Sequence, residues 1–272
     1  MLTVVSVVHT LRGDKNSVKG VTSLGDELFV LRSAMRRPSR HNHQQPSLCV
    51  SSTTDFAESP DFDVPEMSEP SDIASCERKK CLYIPDSGSK CIHSIHFKGL
   101  ATVTSYRWSL PKPPRTLSVT LDKNVLVVCE DSLLEVNSDT GQCVRQISLQ
   151  SDMSLRHGVQ LTTGQFVVCY TGVRYPGLHG VCLVDVDGKV SQSRRYVGQL
   201  NYPCHLAVDK DSQFIFVADG HTCKVVLLTP TLEFVRYVTD TLPDKPRRLH
   251  FDPLTRHLYV GLCNGNVVVL QL

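Results

Sequence analysis

The sequence predicts an all-β protein, a six-bladed β-propeller closed by pairing the N-terminal strand (residues 2–8) with the C-terminal blade (residues 246–272). Three observations carry that prediction. A two-strand unit recurs along the chain, the recurrence has the period of a propeller blade, and the last copy is one strand short while the N-terminus holds one to spare. The unit is clearest at Pro203-Cys-His205-Leu-Ala-Val-Asp209 followed by Phe214-Ile-Phe-Val-Ala-Asp219. It returns at Pro70-Ser-Asp72-Ile73 with Cys81-Leu-Tyr-Ile-Pro-Asp86, at Arg115-Thr-Leu117 with Asn124-Val-Leu-Val-Val-Cys129, and at Arg156-His157-Gly158 with Gln165-Phe-Val-Val-Cys169. The final copy is Arg247-Arg248-Leu249 with His257-Leu-Tyr-Val-Gly261. Aligning Ile73, Leu117, Gly158, Leu206 and Leu249 gives spacings of 44, 41, 48 and 43 residues, the repeat length of a blade made of several short strands.

Taken in order, Leu2-Thr-Val-Val-Ser-Val-Val8 reads as a strand. It has no positive leader, and Thr3 and Ser6 interrupt its apolar run, so it does not read as a signal peptide. The first blade begins near residues 19–23 and 27–31. Residues 33–60, rich in Arg, His, Pro and Ser with little strand pattern beyond 47–50, read as a flexible insertion within that blade. The third blade completes to strands at 115–120, 124–129, 132–137 and 143–149, and the fifth to strands at 204–208, 213–218, 223–228 and 232–238. These runs are rich in Val, Ile, Phe and Tyr, and turn-forming clusters such as Ser138-Asp-Thr-Gly141 and Asp187-Gly188 separate strands. After 247–251, 257–261 and 266–271 the last copy lacks a fourth strand, which residues 2–8 can supply. Closure removes the unpaired edges that invite aggregation.

A chain of 272 residues can form this ring as a single domain, 1–272. A net charge of +2 gives no global field calling for DNA or an anionic membrane, and no apolar run reaches the ~18 residues of a membrane span. The eleven cysteines are an odd number, and many, including Cys129, Cys169, Cys182, Cys204 and Cys263, lie in apolar strands. That placement fits reduced core thiols rather than a disulfide framework; with no export signal read, a cytoplasmic protein is expected, and a closed ring is expected to be a monomer.

Through Tyr202–Asp209, Phe214–Asp219 and Lys224-Val-Val-Leu-Leu228, and again through Pro70-Ser-Asp-Ile-Ala74, Leu82–Asp86 and Lys90–Ile95, the chain resembles an NHL-repeat propeller over about residues 17–272. Such propellers stand at the C-terminus of tripartite-motif ubiquitin ligases. The resemblance implies the substrate- or partner-binding part of such a protein, without ligase activity, since no RING or B-box array precedes it. A WD-repeat ring is disfavoured because Trp108 is the lone tryptophan. Acidic ends of the second strand remain at Asp86 and Asp219, so an intrablade Asp–Lys pair, such as Asp86 with Lys90 or Asp219 with Lys224, can form in only two blades, where it reads as structural rather than functional.

Catalytic and cofactor motifs are weak. Cys76, Cys81, Cys91, His93 and His96 lack the paired spacing of zinc ligands and read as side chains scattered by strand placement. No phosphate loop or nucleophile elbow occurs, and no cofactor is expected. The positions beginning the innermost strands, Asp72, Thr116, His157, His205 and Arg248, should face one another at one mouth of the channel. As a metal site that set is compromised by the cation Arg248. As a ligand face, Asp72, Arg115, Arg156, His157, His205, Arg247 and Arg248 form the candidate binding set, because arginine forks suit carboxylate and phosphate. The same residues can equally satisfy loop backbone. The expected function is a non-enzymatic scaffold for a protein or peptide. RNA binding through the arginine face is the first alternative; against it, stacking aromatics are sparse in those loops apart from Tyr202 and Tyr175. A metal-dependent propeller hydrolase or lyase is the second.

Overall fold

The computed structural model of the chain describes residues 5–13, 16–33, 46–62, 66–98, 101–149, 152–172, 179–194 and 200–272. Short apolar runs rich in β-branched residues and broken by tight turns cannot make helices, and they pair instead with their sequence neighbours. Six four-stranded antiparallel sheets result. Strand β1 covers Ser6–Leu11. Blade one holds β2 (Ser17–Leu24), β3 (Glu27–Ser33), β4 (Ser47–Ser52) and β5 (Glu58–Phe62). Blade two holds β6 (Ala74–Cys76), β7 (Cys81–Asp86), β8 (Cys91–Lys98) and β9 (Ala101–Ser109), with one 3-10 turn at Glu77–Lys79. Blade three holds β10 (Thr116–Val119), β11 (Val125–Val128), β12 (Ser132–Val136) and β13 (Cys143–Ser148). Blade four holds β14 (Met153–Gln160), β15 (Phe166–Gly172), β16 (His179–Val184) and β17 (Val190–Arg194). Blade five holds β18 (Pro203–Val208), β19 (Ile215–Asp219), β20 (Lys224–Leu228) and β21 (Phe234–Tyr237). Blade six holds β22 (Pro246–Asp252), β23 (His257–Leu262) and β24 (Val267–Gln271), and its fourth strand is β1.

The second strand of a blade is buried on both faces, as in β7, β11 and β19, because a neighbouring blade covers each side of the sheet. This is why those strands read in the sequence as continuous apolar runs. The core is accordingly not one cluster but six, one at each seam. Leu206, Ile215 and Val217 of blade five pack against Val167 and Cys169 of blade four. Leu249, Leu258 and Val260 of blade six pack against Phe216 and Val225 of blade five. The seam that closes the ring joins Leu11, Tyr259, Val267 and Val269 of blade six to Val18, Val21, Leu28 and Val30 of blade one. Burying each such side chain is worth about 1.5–3 kcal/mol.

The N-terminal strand pairs with the C-terminal blade, Ser6 opposite Gln271 and Leu11 opposite Val267. Its bounds differ from the expected 2–8: it runs on to Leu11, whose side chain enters the closing seam, and residues 1–4 lie outside the described residues. Asn266 reinforces the junction by accepting the Gly13 N–H at 3.0 Å. Part of the span 33–60, expected as an insertion, is strand instead. Ser47–Ser52 and Glu58–Phe62 are the third and fourth strands of blade one, and residues 34–45 lie outside the described residues. All eleven cysteines are free. Among the described residues no helix is long and apolar enough to cross a membrane.

Candidate functional site

The channel mouth is shaped by a recurrent bulge in the innermost strands. Pairing of the first two strands slips by one residue at Lys19, Arg156, Cys204 and Arg247 in blades one, four, five and six. A bulge of this kind re-aims the residue that follows it. In these blades the following residues are Gly20, His157, His205 and Arg248. The last three are buried, with Asp72 and Thr116 from blades two and three buried alongside them. The convergence expected from the sequence is present: Asp72, His157, His205 and Arg248 meet at the ring's centre.

Each of these groups satisfies backbone in another blade. The Leu206 N–H donates to His157 Nδ1 at 3.3 Å, linking blades five and four. One blade on, the Leu249 N–H donates to His205 Nδ1 at 3.3 Å. The Leu117 N–H donates to Asp72 Oδ2 at 3.1 Å, and Thr116 Oγ1 donates to the Arg156 carbonyl at 2.8 Å. Arg248 donates to the carbonyl of Lys19 in blade one and, at 2.5 Å, to that of Ser71 at the start of blade two, with Nε 3.4 Å from Asp72 Oδ1. The equivalent position in blade one is Gly20, where the lack of a side chain lets the start of blade two approach closely. A Cβ at Gly20 would lie 2.5 Å from both the nitrogen and Cγ2 of Ile73. The result is a circumferential polar lock.

The lock also decides the chemistry of the two imidazoles. Because Nδ1 of each accepts an amide proton, the neutral ring carries its own proton on Nε2. Both Nε2 atoms face Asp72 Oδ2, at 3.9 Å from His157 and 3.4 Å from His205. A cation bound among Asp72, His157 and His205 would need those nitrogens deprotonated, which would move a proton onto Nδ1, where an N–H already points. Burial, foremost, holds His157 and His205 well below the ordinary histidine range, and it pushes the Asp72 carboxyl up against the pull of Arg248 and His157. Arg248 is likewise lowered by burial.

The other predicted residues form a half-exposed rim. Arg115 donates to Ser154 Oγ at 2.7 Å and to the Leu155 carbonyl at 3.0 Å, and pairs with Glu130 at 2.8 Å. Arg156 grips Thr171 Oγ1 with Nε and Nη2, and its guanidinium lies 5.2 Å above the Tyr202 ring. Arg247 Nε is buried with no hydrogen-bond partner among the described residues. Tyr202 holds a φ of 93°, a conformation unusual for a side-chain-bearing residue, and is flanked edge-on by His179 and His221 at 5.8 and 5.0 Å. His179 and His221 were not singled out in the sequence, since nothing in a lone histidine's spacing marks it as an aromatic neighbour. Tyr175 lies outside the described residues.

The intrablade ion pairs open to Asp86 and Asp219 do not form among the described residues. Both carboxylates are fully buried and accept backbone amides instead. Asp86 takes the N–H groups of Ser68, Glu69, Gly88 and Ser89, and Asp219 those of Asn201 at 2.7 Å and His221 at 3.2 Å. Lys224 turns away to stack on Tyr237, its ammonium 4.3 Å from the ring centroid. The acidic residue ending the second strand is therefore a staple for the loop that enters its blade.

No protein-family model matches the chain, and no curated protein matches it. Among solved structures it is similar to the Kuenenia stuttgartiensis hydrazine synthase, with a TM-score of 0.65 and 13% identity over 96% of this chain and 97% of that one. At that identity the likeness speaks for the propeller fold alone.

Proposed function

We propose that this ring is a binding scaffold for a protein or peptide partner, which it holds on the channel-mouth face through Arg156, Arg247 and Tyr202, with Arg115 beside them. The observation that carries this reading is the Arg156–Tyr202 stack. A strained tyrosine and a cation held in place by Thr171 present a rigid, preorganised platform, and strained backbone collects where ligands are gripped. Buried Asp72, His157, His205 and Arg248 support the platform from beneath rather than touching the partner. The arginines favour acidic side chains on that partner. The resemblance to NHL repeats extends the reading to the substrate-recognition part of a ubiquitin-ligase-type protein.

The test is binding of an acidic peptide library and of single-stranded RNA to the intact chain, compared with the Arg156→Glu/Arg247→Glu variant after its thermal midpoint has been checked. Acidic peptides should be enriched by the wild type and bind at least ten-fold more weakly to the variant. Equal binding by both would refute this surface. RNA binding that falls steeply with salt and vanishes in the variant would instead establish the nucleic-acid reading, in which Tyr202 stacks a base.

A further inference from the structure

We propose that Asp86, Cys91 and His93 form a zinc-binding site at the seam between blades one and two. Asp86 and Cys91 are direct partners across the β7–β8 pair, and His93 lies two residues beyond Cys91. Strand alternation therefore puts all three on one face of the sheet. That face is shared with Ile84, the partner of His93, which packs against Phe29, Leu31 and Leu48 of blade one. All three side chains are buried.

Their ligand atoms converge within 4.8 Å of one another. His93 Nε2 lies 3.5 Å from Cys91 Sγ and 3.7 Å from Asp86 Oδ2. The second distance is too long for a hydrogen bond. With zinc–sulfur and zinc–nitrogen bonds of about 2.3 and 2.0 Å, a tetrahedral ion sets its sulfur and nitrogen ligands about 3.5 Å apart. The nitrogen thus points at the gap between sulfur and carboxylate, where a cation fits.

The surroundings hold this geometry. Four backbone amides fix the Asp86 carboxylate, the kind of outer support that orients metal ligands. Arg107 Nε donates to Cys91 Sγ at 3.2 Å, a contact that favours thiolate against the burial that pushes this thiol up. Unlike His157 and His205, His93 has no N–H donating to its Nδ1 among the described residues, so its proton can sit there and leave Nε2 free to coordinate. Thiolate, imidazole and carboxylate together select zinc over the harder alkaline-earth cations. Water takes the fourth position, and the ion clamps the hairpin to the loop carrying Ser68 and Glu69.

Elemental analysis of the intact chain purified without chelator should find one zinc per chain. Replacing it with Co2+ should give a near-ultraviolet thiolate-to-cobalt charge-transfer band. That band should disappear in Cys91→Ser, persist in Cys76→Ser, and require at least ten-fold more Co2+ in His93→Gln. Metal-free protein that gives no charge-transfer band with Co2+ overturns the proposal, as does a band that survives Cys91→Ser. The cobalt titration of wild-type protein decides the matter even if a variant fails to fold.

Discussion

His157 and His205 stack with ring centroids 3.6 Å apart and turn both Nε2 atoms toward the same oxygen of Asp72. The two belong to successive blades, and each accepts an amide proton from the blade that follows it. The stack is therefore part of how neighbouring blades are held in register, on top of the apolar seams between them.

The absence of a side chain at position 20 is as much a part of this lock as the side chains around it. Gly20→Ala would drive a methyl into the backbone nitrogen and side chain of Ile73 and push the start of blade two away. We expect a loss of about 1–3 kcal/mol, the usual cost of overpacking, measured as a lower urea midpoint. A midpoint equal to wild type would contradict the close approach of blades one and two.

Stability should fall as the solution is acidified. Unfolded histidines titrate near about 6.5, whereas burial keeps folded His157 and His205 well below that and lowers His250 to about 4. Below the unfolded value the unfolded chain binds protons that the folded chain does not, so stability declines with falling pH. For His250 the window runs from about 6.5 down to about 4. Asp72 acts oppositely: its folded value is raised, so the folded state takes up that proton first and offsets part of the decline. Urea midpoints at pH 7 and pH 5 test the balance, and equal midpoints would contradict it.

Asp219 links the repeat motif to the rim. Its carboxylate holds the amides of Asn201 and His221 on either side of the Tyr202 platform. Asp219→Ala should cost about 1–3 kcal/mol through unsatisfied buried amides and weaken acidic-peptide binding along with it. Unchanged binding in that variant would detach Tyr202 from recognition.

The ring itself was legible because blade strands covered on both sides must be apolar throughout, as in Val125–Val128, and because Ile73, Leu117, Gly158, Leu206 and Leu249 recur at blade spacing. The meeting of Asp72, His157, His205 and Arg248 followed from the same alignment. What the alignment could not convey was direction. A single extra residue in the bulges at Arg156 and Arg247 turns those arginines to the rim and their successors inward, and a bulge leaves no mark in composition. Glu58–Phe62 was hidden for a different reason: its polar, proline-bearing sequence carries little of the β-branched and aromatic enrichment that marks a strand. Asp86 looked like half of an ion pair because Lys90 lies close in sequence, yet nearer unsatisfied amides claim its oxygens.

Blades two and six meet across blade one through Asp72 and Arg248, with Arg248 Nε 3.4 Å from Asp72 Oδ1, and the polar lock stands on that contact. A double-mutant cycle with Asp72→Asn and Arg248→Met, followed by urea unfolding, measures that contact directly. Each single change should be strongly destabilising, by up to about 3–5 kcal/mol, because it strands a buried partner. The double variant should recover a coupling of about 1–3 kcal/mol. Strictly additive effects would mean that the two residues do not meet and that the polar lock does not hold the ring.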